Sequence, residues 1–186
     1  MALRQRAAKK KAALGEAGLY DYAVKALGRQ MRTESDLRRS MQSRAEQGES
    51  GEAAVRAAIA RLKEHGYLDD RAFAETYARL RQENEKLGAR RVQQDLQRKG
   101  IRSDLIKETV AARYGETDEE KLAREHLERK RIRKPANEKE IARVMRRLVA
   151  AGFSMGTIYK VLRKWNVPEE ELAALDNLDT EPNGNE

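Results

Sequence analysis

Residues 91–110 read RVQQDLQRKGIRSDLIKETV and residues 143–162 read RVMRRLVAAGFSMGTIYKVL, one pattern written twice at an offset of 52 residues. Arg91 falls on Arg143, Val92 on Val144, Leu96 on Leu148, Gly100 on Gly152, Ile101 on Phe153, Ile106 on Ile158 and Val110 on Leu162, with no gap. Each copy spells a helix with an apolar stripe, a glycine stop, an apolar residue to fill the corner, and a second helix. Such a pair cannot bury its apolar faces alone, so a third helix is expected before each copy.

The flanking sequence supplies those helices. Before the first copy, Phe73, Tyr77 and Leu80 form a stripe that starts at Asp69 and closes at Gly88. With Asp69 as N-cap, Leu68 and Phe73 occupy the positions of a hydrophobic staple. Ser103 or Asp104 is expected to cap the helix of Ile106 and Val110. Before the second copy, Thr117 and Glu120 suggest a capping box, followed by Leu122 and Leu127. Asn137 then caps the stripe Ile141, Val144, Leu148. Ser154 caps the last helix, whose apolar residues are Ile158, Val161, Leu162 and Trp165, and Pro168 prevents its continuation. A looser version of the plan occupies the first third of the chain. Its stripes are Tyr20, Val24, Leu27, then Leu37, Met41, then Val55, Ile59, Leu62, ending at His65-Gly66. No stretch sustains the alternation of a strand.

The expected fold is therefore all-α: three tandem three-helix, helix-turn-helix-like repeats in an elongated array. The expected boundaries are a flexible basic arm at 1–18, repeats at 19–68, 69–116 and 117–165, and an acidic disordered tail at 166–186. An array of this kind presents a long surface rather than a pocket.

Composition narrows the function. Of 186 residues, 38% are charged and 5% aromatic, which suits thin helical units better than one thick core. There are no cysteines, hence no disulfides or thiolate metal sites. No run of about 18 apolar residues suggests a membrane span, and no apolar segment follows the basic N-terminus as in a secretory signal, so a cytoplasmic protein is expected. The net charge is +8, but the stretch from Asn166 to Glu186 holds seven acids and no Lys or Arg, leaving 39 basic residues against 24 acidic, or +15, on the rest. A body this basic favours a polyanion or an acidic protein surface.

Catalysis has little to build on. His65 and His126 lie far apart and belong to no metal-ligand spacing. His65 precedes a C-cap glycine, and His126 is expected on a helix surface. There is no phosphate-binding glycine loop with a lysine and no nucleophile elbow. Asp69-Asp70 reads as helix capping. Tyr67, Phe73, Tyr77, Phe153 and Trp165 sit at stripe or corner positions and read as core. No catalytic residue, metal or cofactor is assigned. The binding candidates are basic: Arg90, Arg91, Arg98 and Lys99 flank the second helix of the middle unit, and Arg143, Arg146 and Arg147 sit at the equivalent place in the last. Arg129, Lys130 and Arg131 head the dense run before Pro135. The guanidinium fork suits phosphates and carboxylates, and recurrence at equivalent sites suggests one basic stripe.

The run His65-Gly66-Tyr67-Leu68-Asp69-Asp70-Arg71-Ala72-Phe73-Ala74, followed by Gly88-Ala89-Arg90-Arg91-Val92 and Leu96-Gln97-Arg98-Lys99-Gly100-Ile101, resembles the most recognisable part of the RecX family. The resemblance covers roughly residues 19–165, and the middle unit carries most of it. It implies a non-catalytic array of three-helix repeats that binds RecA and lodges along its filament on single-stranded DNA. It also implies restraint of filament extension, ATP hydrolysis and strand exchange, in the regulation of DNA repair and recombination. The expected partners are the RecA filament and single-stranded DNA, reached directly or through RecA, with a monomeric protein and no membrane. The family has no catalytic residues to carry over. The alternative is a helical protein that binds nucleic acid without RecA, whose affinity falls steeply with salt. A scaffold for another acidic protein stands behind it.

Overall fold

The computed structural model describes residues 13–168; of the expected arm at 1–18 and tail at 166–186, residues 1–12 and 169–186 lie outside the described residues, whereas α1 already begins at Glu16 and Val167 is buried against the end of α9. Among the described residues there are nine helices and one isolated bridge, between Leu14 and Ala45. They divide into two compact units. One is the chain up to Phe73 with Lys99–Ile101, and the other is Ala74–Arg98 with the chain from Arg102 onward.

In the first unit, α1 (Glu16–Leu27), α2 (Glu34–Gln42) and α3 (Glu49–Glu64) pack on one another. Leu19, Ala23, Leu37, Met41, Val55, Ala58, Ile59 and Leu62 fill their core, with Leu68 closing it. The inner face of α1 is turned by one position from expectation: Leu19, Ala23 and Ala26 are buried, while Tyr20, Val24 and Leu27 flank them half-buried. The small alanines let α1 approach closely, and Tyr20 is held at the edge, its hydroxyl 2.7 Å from His65 Nδ1. Thr33 caps α2 and donates its hydroxyl to the Lys99 carbonyl at 2.8 Å, which seats the Lys99–Ile101 corner in this unit.

The first turn of α4 (Asp70–Glu85) belongs to the first unit and the rest to the second. Asp69 caps it as read from the sequence, accepting from the amides of Arg71 and Ala72, and Leu68 and Phe73 are buried beside it. Leu80, read as inward, is exposed, and Ala74 and Ala78 take the buried face instead. Tyr67, read as core, is likewise exposed, since it follows the left-handed Gly66 and the chain is turning away.

The second unit continues with α5 (Ala89–Arg98) on α6 (Ser103–Tyr114), and with α7 (Glu119–Arg129) and α8 (Glu138–Ala150) both packed on α9 (Met155–Lys164). The two sequence copies are thus α5–α6 and α8–α9, with Ile101 and Phe153 buried at their corners. Trp165, read as core, is only half-buried at the end of α9. Two caps differ from expectation. Arg102, not Ser103 or Asp104, precedes α6 and offers no side-chain cap; Asp104 instead pairs with Arg102 at 3.3 Å. Asp118, not Thr117, caps α7, accepting from the Lys121 amide at 2.9 Å. Thr117 is drawn elsewhere: its hydroxyl donates to the Arg113 carbonyl and accepts from Gln82 at 2.9 Å. Asn137 and Ser154 cap α8 and α9 as expected.

The two repeat glycines do more than stop helices. Gly152 has φ +89°, and a Cβ there would fall 2.2 Å from the Arg91 amide nitrogen. Gly100 has φ +77°, and its Cβ would meet the Ser35 side chain at 2.4 Å. Both are left-handed turns that also admit a neighbouring segment.

Candidate functional site

The candidate basic residues separate into paired and unpaired sets. Arg91 and Arg98 both pair with Asp95 on α5, Arg91 at 3.2 Å, so much of their charge is matched within one helix. Lys99 lies 3.6 Å from Asp36 and over the Phe73 ring, and its role is in the first unit. Arg90 is exposed, and its charge helps to keep Glu119 ionised. By contrast, Arg129, Lys130, Arg131, Arg143, Arg146 and Arg147 are all exposed, and among the described residues none has a carboxylate within ion-pair distance. Two acids close to them in sequence are engaged elsewhere. Glu125 pairs with Lys86 at 2.8 Å, and Glu140 accepts from the Ala136 amide at 2.9 Å.

Three segments of the second unit bring part of this set together. α7 ends at Arg129, Lys130 forms its C-cap, and Arg131 turns the chain with φ +52°. That turn places Lys130 and Ile132 against the last turn of α8, where Arg147, Ala150 and Ala151 stand. The segment before α5 completes the arrangement: the Gly88 amide donates to the Ala151 carbonyl at 2.9 Å, and the Arg91 guanidinium reaches the Ala150 carbonyl at 3.5 Å. The result is a pocket of about 300 Å³ lined by Leu87, His126, Lys130, Ile132, Arg147, Ala150 and Ala151. Its lining is apolar apart from His126, and two of the unpaired cations, Lys130 and Arg147, border it. The surface, expected to carry no pocket, has this open recess where the α7–α8 turn meets the end of α8.

His126 forms part of the floor, and its expected surface position is corrected as well. It is buried, edge-on to Phe153 with ring centroids 5.8 Å apart, and its Nδ1–H donates to the Glu85 carbonyl at 3.1 Å. Burial pushes its pKa down; the bond to Glu85 partly opposes this, and Lys130 and Arg129 add repulsion. Its neutral form is therefore the one that fits, and the rim keeps the local charge. Nothing in the sequence signalled this, since Glu85 and Leu87 lie about forty residues from His126 along the chain.

A second element of the unit was also invisible to spacing. The Glu119 carboxylate accepts from the Ser154 amide at 2.8 Å, the Ser154 hydroxyl at 2.6 Å and the Thr157 hydroxyl. It thereby ties the start of α7 to the start of α9. Burial opposes its charge, but these donors outweigh burial and hold its pKa below the ordinary carboxylate value. In the first unit Asp70 plays a similar part, accepting from the Glu34 amide at 2.8 Å at the start of α2.

No group of three or more His, Cys, Asp or Glu among the described residues could hold a metal, and no helix among them is long and apolar enough to cross a membrane. The arrangement defines a class: an all-helical repeat protein whose prominent surface is basic. Residues 69–110 match the family model for the second three-helix domain of RecX. A regulatory protein RecX of Thermus thermophilus is 30% identical over 151 residues, covering 81% of this chain and 92% of that protein. The regulatory protein RecX of Oceanobacillus iheyensis is 29% identical over 154 residues, covering 81% of this chain but only 54% of its own length. A crystal structure of a regulatory protein RecX superposes with a TM-score of 0.65 at 24% identity, covering 80% of this chain and 71% of that one, and shares the all-helical fold. The chain belongs to the RecX family.

Proposed function

We propose that this protein binds RecA and its single-stranded-DNA filament and restrains filament extension, ATP hydrolysis and strand exchange, acting by binding and without catalysis. The observation that carries the reading is the cluster of unpaired cations on α8 and the α7–α8 turn: Arg129, Lys130, Arg131, Arg143, Arg146 and Arg147. Arg143 and Arg147 lie one helical turn apart, where like charges repel and destabilise a helix by about 0.2–0.5 kcal/mol. Cations left in that position suit an anionic partner, either filament phosphate or an acidic face of RecA. Arg90, Arg91, Arg98 and Lys99 extend the candidate set, with Arg91 poised beside the α8 end.

The test adds the protein to preformed RecA filaments on single-stranded DNA and follows ATP hydrolysis. A dose-dependent fall at substoichiometric protein is expected. Charge reversal at Arg90, Arg91, Arg143, Arg146 and Arg147 should weaken that inhibition with helicity retained in circular dichroism; full inhibition by such a folded variant overturns the assigned surface. Unchanged hydrolysis by the folded wild-type protein, together with a salt-sensitive shift of DNA alone, would instead favour RecA-independent nucleic-acid binding.

A further inference from the structure

The pocket at the end of α8 joins two features seldom left open together: an apolar floor of Leu87, Ile132, Ala150 and Ala151, and a rim of two cations, Lys130 and Arg147, without ion-pair partners among the described residues. An occupant that satisfies both must alternate leucine-like side chains with carboxylates. The chain carries such a segment. Residues 169–186 hold Leu172, Leu175 and Leu178 among seven acids, Glu169, Glu170, Glu171, Asp176, Asp179, Glu181 and Glu186, with no Lys or Arg. We propose that this acidic C-terminal segment docks in cis on the pocket at the α8 end, its leucines on the floor and its carboxylates against Lys130 and Arg147, and so screens the basic surface from its partner.

Reach and starting point both allow it. The described chain ends just after α9, which packs on α7 and α8, the two helices that frame the pocket. Ten extended residues span about 33 Å. A unit of this size has a radius of gyration of about 12 Å, so Leu178, ten residues beyond Pro168, has the reach to cross it, while Leu172 and Leu175 reach about 13 and 23 Å. Tethering also makes the contact intramolecular, and a short flexible link gives an effective concentration of about a millimolar, enough for a weak, reversible contact. The docking stands on pocket and charge alone; its regulatory consequence rests on the reading that the basic surface binds a polyanionic filament.

The absence of cysteine makes a direct test simple. A nitroxide attached to Asn177→Cys in the full chain should broaden the amide signals of Leu87, Ile132 and Ala150. The broadening should vanish in high salt and in the Lys130→Glu/Arg147→Glu variant, with circular dichroism unchanged. Broadening confined to the basic N-terminal arm, or none that salt removes, overturns the docking. Broadening that appears only when labelled protein is mixed with an isotopically labelled copy overturns its intramolecular form. Separately, replacing Glu169, Glu170, Glu171, Asp176, Asp179 and Glu181 by their amides should tighten binding of a fluorescent oligo(dT) about tenfold at low salt, the gain fading as salt rises. Unchanged affinity with the broadening intact overturns the screening role. A protein that shows the broadening yet leaves RecA filaments unaffected separates the docking, which then stands, from the proposed function, which then fails.

Discussion

Single residues here have their effect through what lies opposite them. Gly152 and Gly66 both have positive φ, yet only Gly152 has backbone within touching distance of an added Cβ. Gly66→Ala should cost about 1 kcal/mol, the conformational penalty alone. Gly152→Ala adds a clash with the Arg91 backbone and should cost about 2–4 kcal/mol. Urea unfolding of the two variants checks the difference. His126 sets the acid response. Its pKa is lowered in the folded state, by burial first, with Lys130 and Arg129 facing it. Its contribution is therefore present above its unfolded value, about 6.5, and is lost as pH falls through the lowered folded value. Wild-type stability should decline from about pH 6.5 downward, and His126→Gln should flatten that decline. An equal slope in both proteins would remove His126 as its source.

Helix ends hold the second unit together. Glu119 joins α7 to α9 through three donors, one amide and two hydroxyls. Glu119→Gln loses the charge that strengthens them and should destabilise the protein by about 1–3 kcal/mol. Because the Glu119 pKa is lowered, that contribution is present above the unfolded carboxyl value and is lost as pH falls below it. The gap between wild type and Glu119→Gln should therefore close toward acid pH, which denaturation at a series of pH values will report. The α8 arginines should behave oppositely. Arg143→Gln and Arg147→Gln remove a repulsive i,i+4 pair, so thermal stability should hold or rise slightly while binding to an anionic filament falls. A loss of stability equal to the loss of binding would mark them as structural.

At the level of the whole molecule, the repeat read from residues 91–110 and 143–162 is present as α5–α6 and α8–α9, each turned at a left-handed glycine. These features were legible because helix periodicity, glycine stops and most caps act within a few residues. Some misses had a local cause, as where Asp104 pairs with Arg102 instead of capping α6, and in others a distant partner intervened. Thr117 was taken from its cap by Arg113 and Gln82, and α1 turned alanines inward where it packs closely on α3. The candidate cations were all visible as residue types. Which of them are spent on Asp95 and Asp36, and which stand free around a pocket, was not. Sequence alone determined the helical class, the repeat and the basic character, since these depend on local propensity and on a charge count. Only the tertiary structure decided the buried His126, the Glu119 clasp and the gathering of Lys130, Arg147 and Arg91 at one helix end. Each of these joins residues well over a helical turn apart, from 17 positions for Lys130 and Arg147 to 59 for Arg91 and Ala150, and surface charge, unlike an apolar stripe, follows no period that would reveal such a meeting.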